Sequence, residues 1–247
     1  MAESNRIIPF INWNEKDIFQ GLKVLLSPIL NIIVDIKHEG LEKIPSSGGR
    51  IIIGNHRSDM DPFIIASIVP YYISWIAAEY TKKIPVFETL MQNTGVIPMD
   101  IHGNVSISSI KKIMTVLKKG EILGIFPEGH DYMVQNDFAA PMVQFHSGFA
   151  IFAYKAKAPI IPFVIVPIEE EITAIPLPPA IRQAMGLPEE VVKIPLRVQY
   201  KKVKVIFADP ISEKEFSGLE EDKAVEYIMN RSREIMENIQ RKEGMLV

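Results

Sequence analysis

His56 and Asp61, a histidine and a carboxylate five positions apart, stand in the stretch Gly54-Asn55-His56-Arg57-Ser58-Asp59-Met60-Asp61-Pro62. A carboxylate bonded to one ring nitrogen of an imidazole fixes its tautomer and leaves the other nitrogen as a base. Within one helix, a five-residue offset would place the two side chains on different faces. The flanks point to a different geometry. Arg50-Ile51-Ile52-Ile53 is a short apolar run that reads as a buried strand. Residues 63–69 read as a helix, with Asp61 as its N-cap and Pro62 at its first position. Across a strand-to-helix turn the chain folds back, and the carboxylate can reach the ring. The pair also has a plainer explanation, because Asp61 would serve as a simple cap and a lone histidine near a strand end is more often structural. On the pair alone, that explanation leads.

The elements that must position this turn follow from periodicity. Residues 36–39 and 50–54 read as strands joined by a Pro-Ser-Ser-Gly-Gly turn, and residues 72–78, 96–99, 122–126 and 161–166 read as further strands. Helices are expected over 86–93, 104–119, 148–157 and 219–240. In the second of these, Ile107, Ile110, Met114 and Leu117 share a face, and Gly120 lies just past the end. In the last, Val225, Ile228, Met229, Ile235, Met236 and Ile239 face inward. Residues 130–146 are expected to form a long loop of the kind that often covers a binding site. The proline-rich stretch 167–195 holds at most one short helix, around 180–185, and residues 197–207 form a strand or a bent hairpin arm. Strands alternating with helices predict an α/β fold, a single domain with a central mixed sheet flanked by helices.

Composition narrows the function. With 247 residues, 47% of them apolar and 23% charged, the chain is long enough for a substantial core and unlike a disordered one. A net charge of −3 gives no reason to expect nucleic acid. The absence of cysteine excludes disulfides, thiolate nucleophiles and cysteine-ligated metal. The first residues lack a basic leader followed by an apolar core, so no signal peptide is expected. Residues 24–34 are uncharged but broken by Pro28, and residues 62–78 are divided by Pro70, so neither meets the roughly 20 apolar residues a bilayer crossing needs. Residues 1–14 look loosely ordered, with Phe10 and Trp13 placed either against the body or at a headgroup layer. Residues 15–34 carry an amphipathic stripe, Ile18, Leu22, Leu25, Leu26, Ile29 and Ile33. Packing on the core and lying in a lipid interface explain that stripe equally well.

Resemblance shifts these balances. Asn55-His56, four residues, Asp61-Pro62 resembles the first motif of the glycerolipid acyltransferases, the 1-acylglycerol-3-phosphate (lysophosphatidic acid) acyltransferase family. Gly95-Val96-Ile97-Pro98-Met99-Asp100 resembles the second, Phe126-Pro127-Glu128-Gly129 the third, and Ala158-Pro159-Ile160-Ile161-Pro162-Phe163 the fourth. Residues 39–45 and 204–211 resemble the flanking strands, so the likeness covers most of the chain beyond the first 35 residues or so. It implies an acyltransferase domain over 35–247, preceded by a membrane-associating segment over 1–34. It also implies transfer of a fatty acyl group from a thioester, acyl-CoA or acyl-ACP, to a hydroxyl of a lysophospholipid-like acceptor in glycerolipid synthesis. No further cofactor and no metal is expected, and the location is peripheral on the cytoplasmic face of a membrane, or soluble in the cytoplasm. His56 is then the general base and Asp61 its orienting partner, with Asn55, Arg57, Ser58, Gly95, Ile97, Phe126, Pro127, Glu128, Gly129 and Pro162 as substrate-binding candidates. Ser58, without the context of a nucleophile elbow, reads as a turn residue.

Departures from the pattern matter as much. The family's second motif usually ends in arginine after the aspartate, where this chain has Ile101. The third usually continues Thr-Arg-Ser, where this chain has His130-Asp131-Tyr132, and a lysine often found before the second motif is replaced by Ala78. Those cations are the groups expected to hold an acceptor's phosphate. Their joint loss leads to an acceptor without the usual phosphate, a neutral or zwitterionic lyso-lipid or another alcohol or amine, with Lys82, Lys83 and Arg57 as the cations that could substitute. Two other classes stay open. One is a lipid-binding descendant with reduced catalysis. The other is a metal-dependent hydrolase using His56, Asp59, Asp61, Glu128 and His130, whose spacing fits no standard zinc motif.

Overall fold

Three consecutive β-branched residues, Ile51, Ile52 and Ile53, leave no polar face, so their strand must be covered on both sides. In the computed structural model it is. The structure describes residues 14–78, 85–99, 106–129, 142, 144–174, 178–180, 183 and 196–245. Strand β2 (Arg50–Gly54) lies at the middle of a seven-stranded sheet together with β1 (Asp35–Glu39), β3 (Ile73–Ala78), β4 (Ile97–Met99), β5 (Ile122–Ile125), β6 (Ile160–Ala174) and β7 (Leu196–Phe207). The order is β1-β7-β6-β2-β5-β3-β4. Every neighbouring pair is parallel except β6–β7, which is antiparallel. The expected α/β domain with a mixed sheet flanked by helices is the observed one.

Alternation along β2 sorts the core into two layers. Ile51 and Ile53 face helices α4 (Ile107–Lys118), α5 (Gly148–Ala156) and α6 (Glu221–Lys242), packing with Ile113, Phe149, Phe152, Ile228 and Met236. Ile52 faces the other way, into a layer with Phe19 of α1 (Glu15–Ile33) and Ile64 and Ile65 of α2 (Asp61–Ile68). Helix α3 (Pro85–Asn93) precedes β4.

Helix α1 starts at a capping box: the Asn14 side chain accepts from Lys16 N and Asp17 N, and the Asp17 carboxylate accepts from Asn14 N. Phe19 anchors it edge-on to Tyr72 at 5.2 Å, and ion pairs Lys16–Glu121 (2.7 Å) and Lys112–Glu15 (3.1 Å) tie its first turn to the body. The opposite face is bare. Val24 is 74% and Ile32 85% exposed, and Leu25 is also exposed, whereas Ile29 and Ile33 line a cleft.

Three expectations are corrected. The strand expected to end at Val166 runs on to Ala174. Its second half, Pro167-Ile168-Glu169-Glu170-Glu171, looks like a loop in sequence, yet antiparallel pairing with β7 supplies its backbone partners. Register shifts on either side of Glu169 accommodate Pro167 and turn this half, with β7, into an arm that leaves the central sheet. Within α4, the inward residues are Ser109, Ile113, Val116 and Leu117, while Ile107 and Ile110 are exposed. The face expected to be core is rotated, because Ile110 instead lines a cleft. The third concerns Asp61 and belongs to the site. The loop at 130–146 lies largely outside the described residues, as do Phe10, Trp13, Lys82, Lys83, Ile101 and the stretch 184–195.

Candidate active site

Parallel strands β2, β5, β3 and β4 point the same way, so their carboxyl ends meet along one edge of the sheet, where α/β proteins build their sites. The turn after β2 emerges there. Gly54 is required by close packing: a Cβ at this position would lie 2.0 Å from the Phe163 ring. Asn55, buried, then clamps the chain to β6. Its Nδ2 donates to Ile165 O (3.1 Å) and its Oδ1 accepts from Ile165 N (2.8 Å).

These anchors deliver His56. Its backbone N–H donates to Glu128 Oε1 (2.9 Å), and its ring stacks on Phe126 at 4.2 Å and 14°. Phe126 in turn stacks on Trp75 at 5.0 Å. The ring can therefore turn little about its own plane. Its Nδ1 lies 2.8 Å from Asp61 Oδ2, as folding back across the turn requires. A carboxylate at Nδ1 places the proton there and makes Nε2 the basic nitrogen.

Asp61 is not the helix cap expected from sequence. Met60 takes that position and makes no side-chain cap bond. The Asp61 carboxylate points back into the turn, fully buried, where Oδ2 also accepts from Arg57 N (2.7 Å) and Ser58 N (2.9 Å). Its Oδ1 accepts from the Tyr200 hydroxyl (2.9 Å). Four donors converge on one acceptor-only group, which is how a buried carboxylate is satisfied without water. Ser58 is committed too. Its Oγ donates to Val198 O (2.7 Å) and accepts from Met60 N (3.2 Å), so it acts as a turn residue. The Arg57 guanidinium pairs with Glu170 at 2.7 Å, both side chains mostly buried.

The remaining candidates divide. Phe126, Pro127 and Gly129 line, with His56, a cleft of about 820 Å³. Gly129 has φ 61°, and a Cβ there would come within 3.0 Å of the His146 ring, another residue of the cleft wall. Gly95 (φ 74°) and Ile97 lie away from the wall: Ser74 Oγ bonds Gly95 O (2.7 Å), and Ile97 is in the core. In the second motif the flanking Val96 and Met99 line the cleft instead. Pro162 is buried in the sheet opposite Ile53. The cleft is apolar on most of its wall, with Phe63, Trp75 and Leu30 among its residues. Lys23 is the only lysine or arginine among its described lining residues. Its ammonium bonds Val69 O at the end of α2, and burial lowers its pKa.

Sequence reasoning did not anticipate Tyr200, Glu170, Trp75 or His146. Tyr200 lies 139 positions from Asp61, and no local pattern could join them. Among the described residues, no three histidines, aspartates or glutamates gather as a metal site.

Comparisons with known proteins bear on the fold and the family. The family model "Acyltransferase" matches residues 35–166. The chain is similar to the 1-acyl-sn-glycerol-3-phosphate acyltransferase of Helicobacter pylori, 31% identical over 129 residues, covering 51% of this chain and 53% of that one. It is also similar to the enzyme of the same name from Bacillus subtilis, 28% identical over 138 residues, covering 56% and 65%. The chain thus spans about half to two thirds of the length of these curated relatives. The crystal structure of the 1-acyl-sn-glycerophosphate (LPA) acyltransferase PlsC from Thermotoga maritima shares the fold, with a TM-score of 0.58 at 21% identity over 89% of this chain and 80% of that one. With its family match spanning more than half of its length, this chain belongs to the acyltransferase family.

Proposed function

We propose that this protein transfers a fatty acyl group from a thioester, acyl-CoA or acyl-ACP, to the hydroxyl of a lysophospholipid-like acceptor in glycerolipid synthesis. The observation that carries the reading is the His56–Asp61 contact at 2.8 Å on the wall of a large apolar cleft. His56 Nε2 takes the acceptor's hydroxyl proton as that oxygen attacks the thioester carbonyl. The C–S bond then breaks, and the imidazolium returns the proton to the leaving thiolate. The step needs no acyl-enzyme, since cysteine is absent and Ser58 is engaged on both sides. Neither a metal nor a further cofactor enters it, the thioester being a co-substrate. An apolar cleft of this size suits an acyl chain, and its range is that of ordinary ligand pockets. The 1-acyl-sn-glycerol-3-phosphate acyltransferase names of the relatives support the substrate class.

The acceptor we favour lacks the usual phosphate. Ile101 and Ala78 stand where the family carries cations, and Arg57 is paired with Glu170. Lys23, the cleft's only lysine or arginine among the described residues, is tied to a carbonyl. Membrane contact is proposed through α1, peripherally and on the cytoplasmic face, because its apolar Val24, Leu25 and Ile32 are exposed. The test is thiol release from palmitoyl-CoA and palmitoyl-ACP against acceptors with and without phosphate, beside His56→Ala. Release that requires both acceptor and His56 is the expected result. Release without acceptor would mean a thioesterase, and robust turnover of lysophosphatidic acid alone would remove the phosphate-free acceptor.

A further inference from the structure

The arm formed by the second half of β6 and the first half of β7 leaves the sheet and returns over the turn that carries His56. It contributes nothing to the described cleft wall, yet it holds the turn at successive points. Val198 O accepts from Ser58 Oγ, Glu170 pairs with Arg57, and Tyr200 reaches Asp61. Tyr200 and Glu170 are register partners just beyond the bulge, so the register shift sets which residue faces the dyad. A one-residue change of register would turn Tyr200 to the opposite face of the arm.

Tyr200 is 2% exposed, and its hydroxyl donates to Asp61 Oδ1 at 2.9 Å, the only donor on that oxygen among the described residues. The other three donors all address Oδ2. A carboxylate held through one oxygen can swing about that oxygen, whereas one held through both has its plane fixed. We propose that Tyr200 is a positioning residue of the His56–Asp61 dyad, locking the Asp61 carboxylate so that Oδ2 stays on His56 Nδ1. Burial, and then the Asp61 charge, push the Tyr200 phenol well above its ordinary range, so it remains a donor throughout the working pH range. The charged groups around it are Asp61 on α2, Arg57 in the turn and Glu170 on β6. Around His56 they are Asp61, Glu128 and, on the cleft wall, Asp59 and His146.

This inference rests on the reading of His56 as the base. Its test is Tyr200→Phe, which keeps the ring and removes only the donor, assayed for acceptor-dependent thiol release beside His56→Ala and Val198→Ala. Val198→Ala loosens the arm's packing and leaves the phenol in place. For Tyr200→Phe we expect plateau kcat to fall about tenfold, as loss of a hydrogen bond to a charged group implies, with KM within about twofold. The acid limb of the pH profile should move downward, because a carboxylate free to swing off Nδ1 stabilises the imidazolium less. Val198→Ala should lower the melting temperature without moving that limb. Wild-type kinetics in Tyr200→Phe while His56→Ala is inactive would overturn the positioning role alone. The same limb shift in Val198→Ala would reduce Tyr200 to packing. Full activity in His56→Ala would remove the dyad reading and this inference with it.

Discussion

Among the described residues, Asp61 is the one on which the most donors converge, and its substitution separates geometry from charge. In Asp61→Asn the amide oxygen can take the place of Oδ2, and the Tyr200 hydroxyl can turn to accept from the new NH₂. The fold should survive, with a loss of about 1–2 kcal/mol in denaturant melts. Activity should not: without the negative charge behind it, His56 makes a poor base, and kcat is expected to fall by about 10²–10⁴. His56→Ala should remove acceptor-dependent thiol release by at least about 10² while leaving the melt near wild type, since the ring lies on Phe126 rather than inside the core. Asn55 and Ser58 were legible as part of the first motif. That their side chains are spent on the backbone of β6 and β7 was not, because those strands are more than 100 positions away.

Two elements carry predictions of their own. At the end of β2, Gly54→Ala forces Phe163 to move, and that ring is packed between Phe126 at 6.0 Å and Phe207 at 5.6 Å. Overpacking of this kind costs about 1–3 kcal/mol. Because Phe126 also supports the His56 ring, kcat should fall with stability, to be read in parallel melts and assays. On α1, the exposed Val24 and Ile32 can be changed without touching Phe19, which deletion of the helix would strip from the core. The double variant Val24→Glu, Ile32→Glu should keep the wild-type melt and lose flotation with anionic liposomes by about tenfold or more. Unchanged flotation would put the membrane contact elsewhere. The apolar stripe of α1 was visible in sequence, but which part of it was core was decided by docking on α2. The arm of β6 was hidden for a similar reason, because Pro167 and three consecutive glutamates look like a loop until β7 pairs with them.

For the molecule as a whole, a parallel sheet with a single antiparallel pair gathers the ends of β2, β3, β4 and β5 on one edge, and the cleft opens there between the two core layers. The donors on Asp61 and the ion pair at Arg57 leave these groups bound to protein partners. A metal would have to displace such contacts. Exhaustive dialysis against a chelator is therefore expected to leave acceptor-dependent thiol release unchanged, and loss restored by added zinc would revive the hydrolase reading.

What the sequence determined by itself was whatever depends on neighbours along the chain. Uninterrupted isoleucines specified a strand buried on both faces, periodic apolar residues specified the helices, and the histidine and aspartate five apart specified a turn that could fold back on itself. The tertiary structure decided what depends on distant partners. It turned Asp61 from a cap into the acceptor of four hydrogen bonds and rotated α4 so that Ile110 faces the cleft. It also brought Tyr200, on a strand beyond all four motifs, onto the second oxygen of the carboxylate. Short-range geometry is written in side-chain period and cap chemistry, whereas the partner of a buried polar group is fixed only when the sheet register is.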